Sequence, residues 1–180
     1  MTILIRTSAE SDLDAITAIY AHAVTHGTAS FELDPPSTSE MANRRAAILE
    51  GGYPYLVAEK DGAILGYAYA GAYRTRPAYR STVEDSIYVA PDAQGQGVGR
   101  LLLAALIGEC EARDFRLIVA VIGDEDSRGS IALHRSLGFQ PVGIFKGIGY
   151  KHGRWLSTVL MQLPLGRGIA EPPTRPLPTV

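Results

Sequence analysis

Sulfur is scarce in this chain, with a single cysteine, Cys110. One thiol has no internal partner, so no disulfide framework holds the fold together, and a reducing compartment is expected. Excess charge is scarce too. Seventeen Lys and Arg against nineteen Asp and Glu leave a formal net charge of −2. That balance gives no broad basic face, so nucleic acid is not an expected partner. No apolar run reaches the about 18 residues that a membrane-spanning helix needs. The opening "MTILIRTSAESD" lacks the basic and apolar segments of a signal peptide. A cytoplasmic protein with no membrane partner is therefore expected. There is no internal repeat and no Gly-x-x-x-x-Gly-Lys-Ser/Thr, which excludes a P-loop nucleotide hydrolase.

What is present is ordinary globular material: 180 residues, 46% hydrophobic and 20% charged. Residues 1–165 read as one domain, and the proline-rich 166–180 as a mobile tail. "ILIR" reads as a short strand. Ser11 is placed to cap the helix that carries Leu13, Ile16, Ile19, Tyr20, Ala23 and Val24 at helical spacing. Pro35 and Pro36 exclude helix in "FELDPPSTSE". "SEMANRRAAILE" predicts a second helix, stopped by Gly51 and Gly52. Two strands flank the turn Asp61-Gly62. "RTRPAYRST" reads as a loop and "VEDSIYVA" as a strand halted at Pro91. A helix to about Arg113, the strand "FRLIVAVI", the short helix "SRGSIALHRSLGF" and two strands around Gly153 complete the domain. The order predicts a mixed α/β sheet.

The stretch "VAPDAQGQGVGRLLL" puts Gly95, Gly97 and Gly99 directly before a helix, with Arg100 beside them. Glycine lets backbone approach a ligand closely. A helix start offers unpaired N–H groups and partial positive charge. Together they form an anion site, with phosphate the usual occupant. The dinucleotide fingerprint fits poorly: the loop follows several strands, and Asp114 stands at a helix end.

The motif Gln-x-x-Gly-x-Gly, on Gln94, Gly97 and Gly99, resembles the acyl-CoA pyrophosphate loop of the GNAT acetyltransferases. "SIYVAP" before it and "SIALHRSLGF" after it are similar to that family as well. The likeness spans roughly residues 2–163. Arg-Pro-Ala-Tyr-Arg-x-Thr-Val-Glu and "GYKHGRWLSTVLMQ" resemble its phosphinothricin and methionine sulfone acetyltransferase branch.

The resemblance implies a GNAT fold: a central, mostly antiparallel twisted sheet flanked by helices, with two splayed strands holding acetyl-CoA and no metal. It implies that Ile87, Tyr88 and Val89 expose backbone to the pantetheine arm, and that Gln94, Gly95, Gln96, Gly97, Val98, Gly99 and Arg100 hold the diphosphate. Relatives usually carry asparagine where Ser127 stands, so Ser127 is the shorter substitute at a CoA contact and is also placed to cap its helix. Relatives often carry aspartate near Ser157.

Transfer to an amine needs a base, because a free aliphatic amine holds its proton to a pKa near 10. Glu84 and Asp85 are the candidates. Adjacent strand residues point to opposite faces, so one of them faces a cleft. Alternation alone leaves the choice open; the resemblance selects Glu84. His134 shares a helical stripe with Ile131 and Leu137 and has a near-neutral pKa. It is a candidate for thiolate protonation or for a contact with CoA. Arg74, Arg76 and Arg80, with Thr75 between the first two, form a cationic loop suited to a carboxylate or phosphinate. The alternatives for that loop are a solvated basic surface or a subunit contact, since family members are commonly homodimers. Phe31, Tyr150 and Trp155 are candidate walls of the acceptor pocket. Lys151 reads as an exposed lysine or a further cation. Cys110, in mid-helix without a neighbouring histidine, is a poor acyl carrier.

The expected activity is N-acetylation of a small amino acid analogue such as phosphinothricin, methionine sulfone or methionine sulfoximine, by direct attack in a ternary complex. Two rivals stand: the same fold serving a polyamine, an aminoglycoside or a protein N-terminus, and a non-catalytic acyl-CoA binder.

Overall fold

A computed structural model describes residues 2–176. β1 (Leu4–Thr7) leads into α1 (Leu13–His26) and α2 (Thr38–Glu50). The strands β2 (Tyr55–Lys60), β3 (Ala63–Ala72) and β4 (Thr82–Val89) follow, then α3 (Val98–Ala112), β5 (Leu117–Gly123), α4 (Arg128–Ser136), β6 (Gln140–Lys151) and β7 (Arg154–Pro164). The seven strands form one sheet in the order β1-β2-β3-β4-β5-β7-β6. Every pairing is antiparallel except β4 with β5. The mixed, mostly antiparallel sheet expected from the sequence is therefore present.

Local chemistry explains the turns. Asp61 (φ 52°) and Gly62 (φ 81°) both take positive φ between β2 and β3, as a two-residue hairpin turn demands. His152 and Gly153 repeat the device between β6 and β7. α2 begins where the Ser37 hydroxyl accepts from the Glu40 N–H, relieving one orphan donor. Ser11, expected to cap α1, does not. A short 3₁₀ turn covers Glu10–Asp12 instead. Asp12 takes the structural role because its carboxylate accepts from the Ala9 N–H at 2.7 Å and from two nitrogens of Arg6 at 2.7 and 2.8 Å.

Two cores lie on opposite faces of the sheet. On one, α3 buries Val98, Leu102, Leu103, Leu106 and Cys110 against Val83, Ile118, Ala120 and Met161. Those α3 positions follow a helical stripe. On the other, α1 and α2 cover Tyr55, Val57 and Tyr67 of β2 and β3. Tyr55, Tyr67 and Tyr69 stack nearly parallel there, and Tyr20 meets Tyr88 edge-on at 5.0 Å.

The feature that positions the site is a short seam. β4 and β5 pair only from Thr82–Leu117 to Glu84–Val119. Beyond it β4 continues to Val89 and β5 to Gly123 with no strand pair between them. The sheet opens into a wedge whose apex is Glu84.

Candidate active site

Alternation along β4 divides its side chains between the two cores. Val83, Ile87 and Val89 belong to the α3 side and Tyr88 to the α1 side. Asp85 therefore faces α3 and α4, and Glu84 faces α1 and α2. The strand is regular here, so the opposite-face expectation for the two carboxylates holds. Glu84 is half-buried and lines a cavity of about 130 Å³ in the wedge, with Ser86, Ala29 and Val121. Burial first, then the neighbouring Asp85, pushes its carboxyl above the ordinary range, and Arg74 opposes them. Its cross-strand neighbour is Gly71, where an added Cβ would meet nothing within 4 Å. Open space thus adjoins the carboxyl.

His134 and Asp85 meet on the far side of the strand. His134 Nε2 lies 3.0 Å from Asp85 Oδ2, and His134 Nδ1 lies 2.7 Å from the Ser130 carbonyl. Nδ1–H donates to the Ser130 carbonyl and Nε2 faces the Asp85 carboxyl, an arrangement that favours the imidazolium form of the ring. Burial opposes that charge, but the Asp85 carboxylate and the Ser130 carbonyl outweigh it and raise the His134 pKa. The pair is buried, at 4% and 2% side-chain exposure. Sequence reading selected His134 but not its partner. Alternation puts Asp85 on the face where Ile87 and Val89 pack, but only the fold shows that α4 covers that face.

The glycine loop sits at the open end of the wedge. Gly95 (φ 74°) and Gly97 (φ 82°) are left-handed, and a Cβ on either would meet nothing within 4 Å. Gly97 is the residue before α3; no side chain caps that helix and no acid lies in its first turn. Its first N–H groups stay open. A groove of about 660 Å³ runs along them, lined by Ile87, Val89, Gln94, Val98, Arg100 and Ser127 among others. Acetyl-CoA fits this cradle: left-handed glycines and helix amides suit a diphosphate, and unpaired strand edges suit the two amides of pantetheine. Among the described residues no cluster of three metal-ligating side chains occurs.

Several expected residues serve other contacts. A Cβ on Gly99 would sit 3.2 Å from Leu133, so this glycine lets α3 approach α4. Gln96 turns back to donate to the Asp92 carbonyl at 2.8 Å. Arg100 donates to the Ser136 hydroxyl at 2.7 Å, on the groove's rim. Ser127 does not cap α4; its hydroxyl donates to the Gly123 carbonyl at 2.5 Å and closes the β5–α4 turn.

On the acceptor side, Arg74 stacks on Tyr73 at 4.9 Å. Arg74, Thr75, Arg76 and Arg80 all line a cavity of about 360 Å³ with Arg175, separate from the one that Glu84 lines. Arg80 is committed to the chain itself, donating to the Arg175 carbonyl at 2.9 Å. Arg175 in turn lies 4.0 Å over Phe115 and donates to the Arg113 carbonyl. Phe31 packs where Gly123 and Gly149 leave room: a Cβ would meet its ring at 3.2 and 2.4 Å. Tyr150 departs from expectation. Alternation in β6 turns it to the face opposite Gly149, where it is 58% exposed and meets Trp155 edge-on. Lys151, read as exposed, is 4% exposed.

Comparison with known proteins fits this geometry. Residues 5–160 match the acetyltransferase (GNAT) domain, and the chain belongs to that family of acetyl-transferring enzymes. Within the family it is 56% identical over 164 residues to the phosphinothricin N-acetyltransferase of Alcaligenes faecalis, covering 91% of this chain and 83% of that one. It is 41% identical to the L-methionine sulfoximine/L-methionine sulfone acetyltransferase of Pseudomonas aeruginosa, covering 99% and 100%. A crystal structure of a GNAT phosphinothricin acetyltransferase from Sinorhizobium meliloti, in complex with AcCoA, superposes with a TM-score of 0.94. It is 50% identical, covering 99% of this chain and 96% of that one.

Proposed function

We propose that this enzyme moves the acetyl group of acetyl-CoA to the primary amine of a small amino acid analogue. Phosphinothricin, methionine sulfone and methionine sulfoximine, the compounds named in its relatives, are the acceptors to test. The observation that carries the reading is the position of Glu84: a half-buried carboxyl with a raised pKa, at the point where β4 and β5 part.

Bound acetyl-CoA supplies an activated acetyl thioester. The chain supplies the rest. Glu84 takes the amine proton, directly or through a water, and its raised pKa improves the match to an amine near neutral pH. His134 lines the same cavity as Glu84, and an imidazolium there favours negative charge developing nearby. Its hydrogens are held by Asp85 and Ser130, which suits electrostatic stabilisation better than free proton donation. Arg74 is the cation that acts on Glu84 and the first candidate for the acceptor's acidic group, with Thr75 and Arg76 following it in the loop. Phe31 forms one wall. Direct transfer is supported by Cys110, which is fully buried with its thiol pushed up to about 12; no accessible thiol exists among the described residues to carry an acyl group.

A homodimer is part of this reading. β6 is an edge strand, and its Val142, Phe145 and Ile148 are more than half exposed. Sedimentation of the purified protein tests it, with a monomer as the contrary result.

The activity test follows thiol release from acetyl-CoA with each amine. Release above background with at least one acceptor is expected, together with a Glu84→Gln variant that binds acetyl-CoA but turns over 10²- to 10⁴-fold more slowly, the usual order for loss of a general base. Full activity in that variant would move the base elsewhere.

A further inference from the structure

Lys151 is a buried cation that the chemistry above does not use. It lies at the last residue of β6. Its Nζ donates to the Ser30 carbonyl at 2.7 Å, its only hydrogen bond among the described residues. Glu32, the acid that acts on it through space, is already held by Arg44 and by the Tyr20 hydroxyl. A buried ammonium with one neutral acceptor is a poor stabiliser, since an apolar side chain of similar volume costs less to desolvate. A lysine at this position calls for a purpose beyond packing.

That purpose lies in the segment it grips. Residues 27–32 leave α1 and cross the ends of β5 and β6. His152, next to Lys151, lies with Nε2 3.1 Å from the Gly27 carbonyl. The Thr28 carbonyl occupies the space where a Cβ on Gly123 would stand, at 1.9 Å. Ala29 lines the wedge cavity together with Glu84. The Ser30 hydroxyl is 2.9 Å from the Tyr20 hydroxyl. Phe31 lies on Gly149, two residues before Lys151. The β6–β7 turn therefore reaches across the mouth of the site and holds this segment from outside, with the Lys151–Ser30 bond at its centre.

We propose that Lys151 is a positioning residue for acetyl transfer: by holding Ser30 it fixes Ala29 and Phe31 as the wall of the acceptor pocket. The proposal rests on the acceptor site described above. Lys151 touches neither thioester nor amine; it acts through Phe31.

The test replaces Lys151 with Met, which keeps the stem and removes the donor. The expected result is an acceptor KM raised about tenfold, kcat changed less than about twofold, and unchanged acetyl-CoA affinity by calorimetry. Lys151→Arg, which keeps a cation, restores most of the KM. In a Phe31→Leu background, Lys151→Met adds little, because both changes act through one wall. Amide exchange of residues 28–32 rises in Lys151→Met with no amine present. That measurement needs no turnover, so it stays decisive even if the wild-type protein acetylates none of the three acceptors. A KM unchanged by Lys151→Met, effects that add in the double variant, or unaltered exchange would each overturn the proposal. If Lys151→Met does not fold, the same measurements pass to Lys151→Gln, whose shorter amide also misses the full reach to Ser30.

Discussion

Removing Asp85 isolates one buried charge. In the native protein His134 Nε2 and Asp85 Oδ2 are 3.0 Å apart at 4% and 2% exposure, and the raised His134 pKa favours the charged pair. Deleting one member of such a pair costs about 3–5 kcal/mol, since the other charge is left buried. Asp85 Oδ1 has no hydrogen-bond partner among the described residues, so the pair is incompletely satisfied and the lower end applies, about 3 kcal/mol for Asp85→Ala. For a domain of this size that lowers Tm by about 6–12 °C. Asp85→Asn differs. The new amide donates to Nε2, the ring becomes neutral, and Nδ1–H still reaches Ser130; the cost drops to about 1–2 kcal/mol. The pH dependence separates these terms. His134 has a raised pKa in the folded state, so its contribution is complete below the unfolded value near 6.5 and is lost as pH rises through the folded value. Urea melts of the wild type should weaken across that window, and neither variant should share the decline. An Asp85→Ala cost under about 1 kcal/mol at about pH 6, or a wild-type-like decline in Asp85→Asn, would refute the imidazolium assignment.

Three further outcomes are expected. The pH profile of kcat/KM should have an acid limb above the ordinary glutamate value near 4.3, because only ionised Glu84 accepts a proton and its pKa is raised; Glu84→Gln should lack that limb. Gly97→Ala forces a side chain into φ 82° with no steric contact around it, so denaturant melts should report a loss of about 1–2 kcal/mol from backbone strain alone. Asp12→Ala removes the Arg6 pair, led by hydrogen bonds that hold the Asp12 carboxyl below its usual range. Chemical denaturation should show a loss of about 1–3 kcal/mol. That contribution is present above the unfolded aspartate pKa and disappears as pH falls through the folded one.

The sequence carried most of the fold because periodicity and turn chemistry are local. The α3 stripe from Val98 to Cys110 and the Asp61-Gly62 turn fall where their patterns put them. Glu84 and the glycine cradle were legible for a similar reason: a motif lies in one stretch of chain. What escaped was contact across the fold. The Asp85–His134 pair spans 49 residues and the Lys151–Ser30 bond spans 121. Such partners depend on where the sheet brings its strands, which no window of residues encodes. Ser11 and Ser127 failed as caps through competition, since Arg6 recruited Asp12 and the Gly123 carbonyl recruited the Ser127 hydroxyl. Tyr150 falls outside the pocket because Gly149 takes the face toward Phe31 and alternation turns the next residue away.

The three-residue seam between β4 and β5 has a consequence for how the protein endures. Backbone left without a neighbouring strand is where a sheet exchanges and frays first. A ligand arm that lies there does the mechanical work of a missing strand. The enzyme should thus become sturdier as its co-substrate pool fills, and its lifetime in a cell would follow the supply of the molecule it consumes.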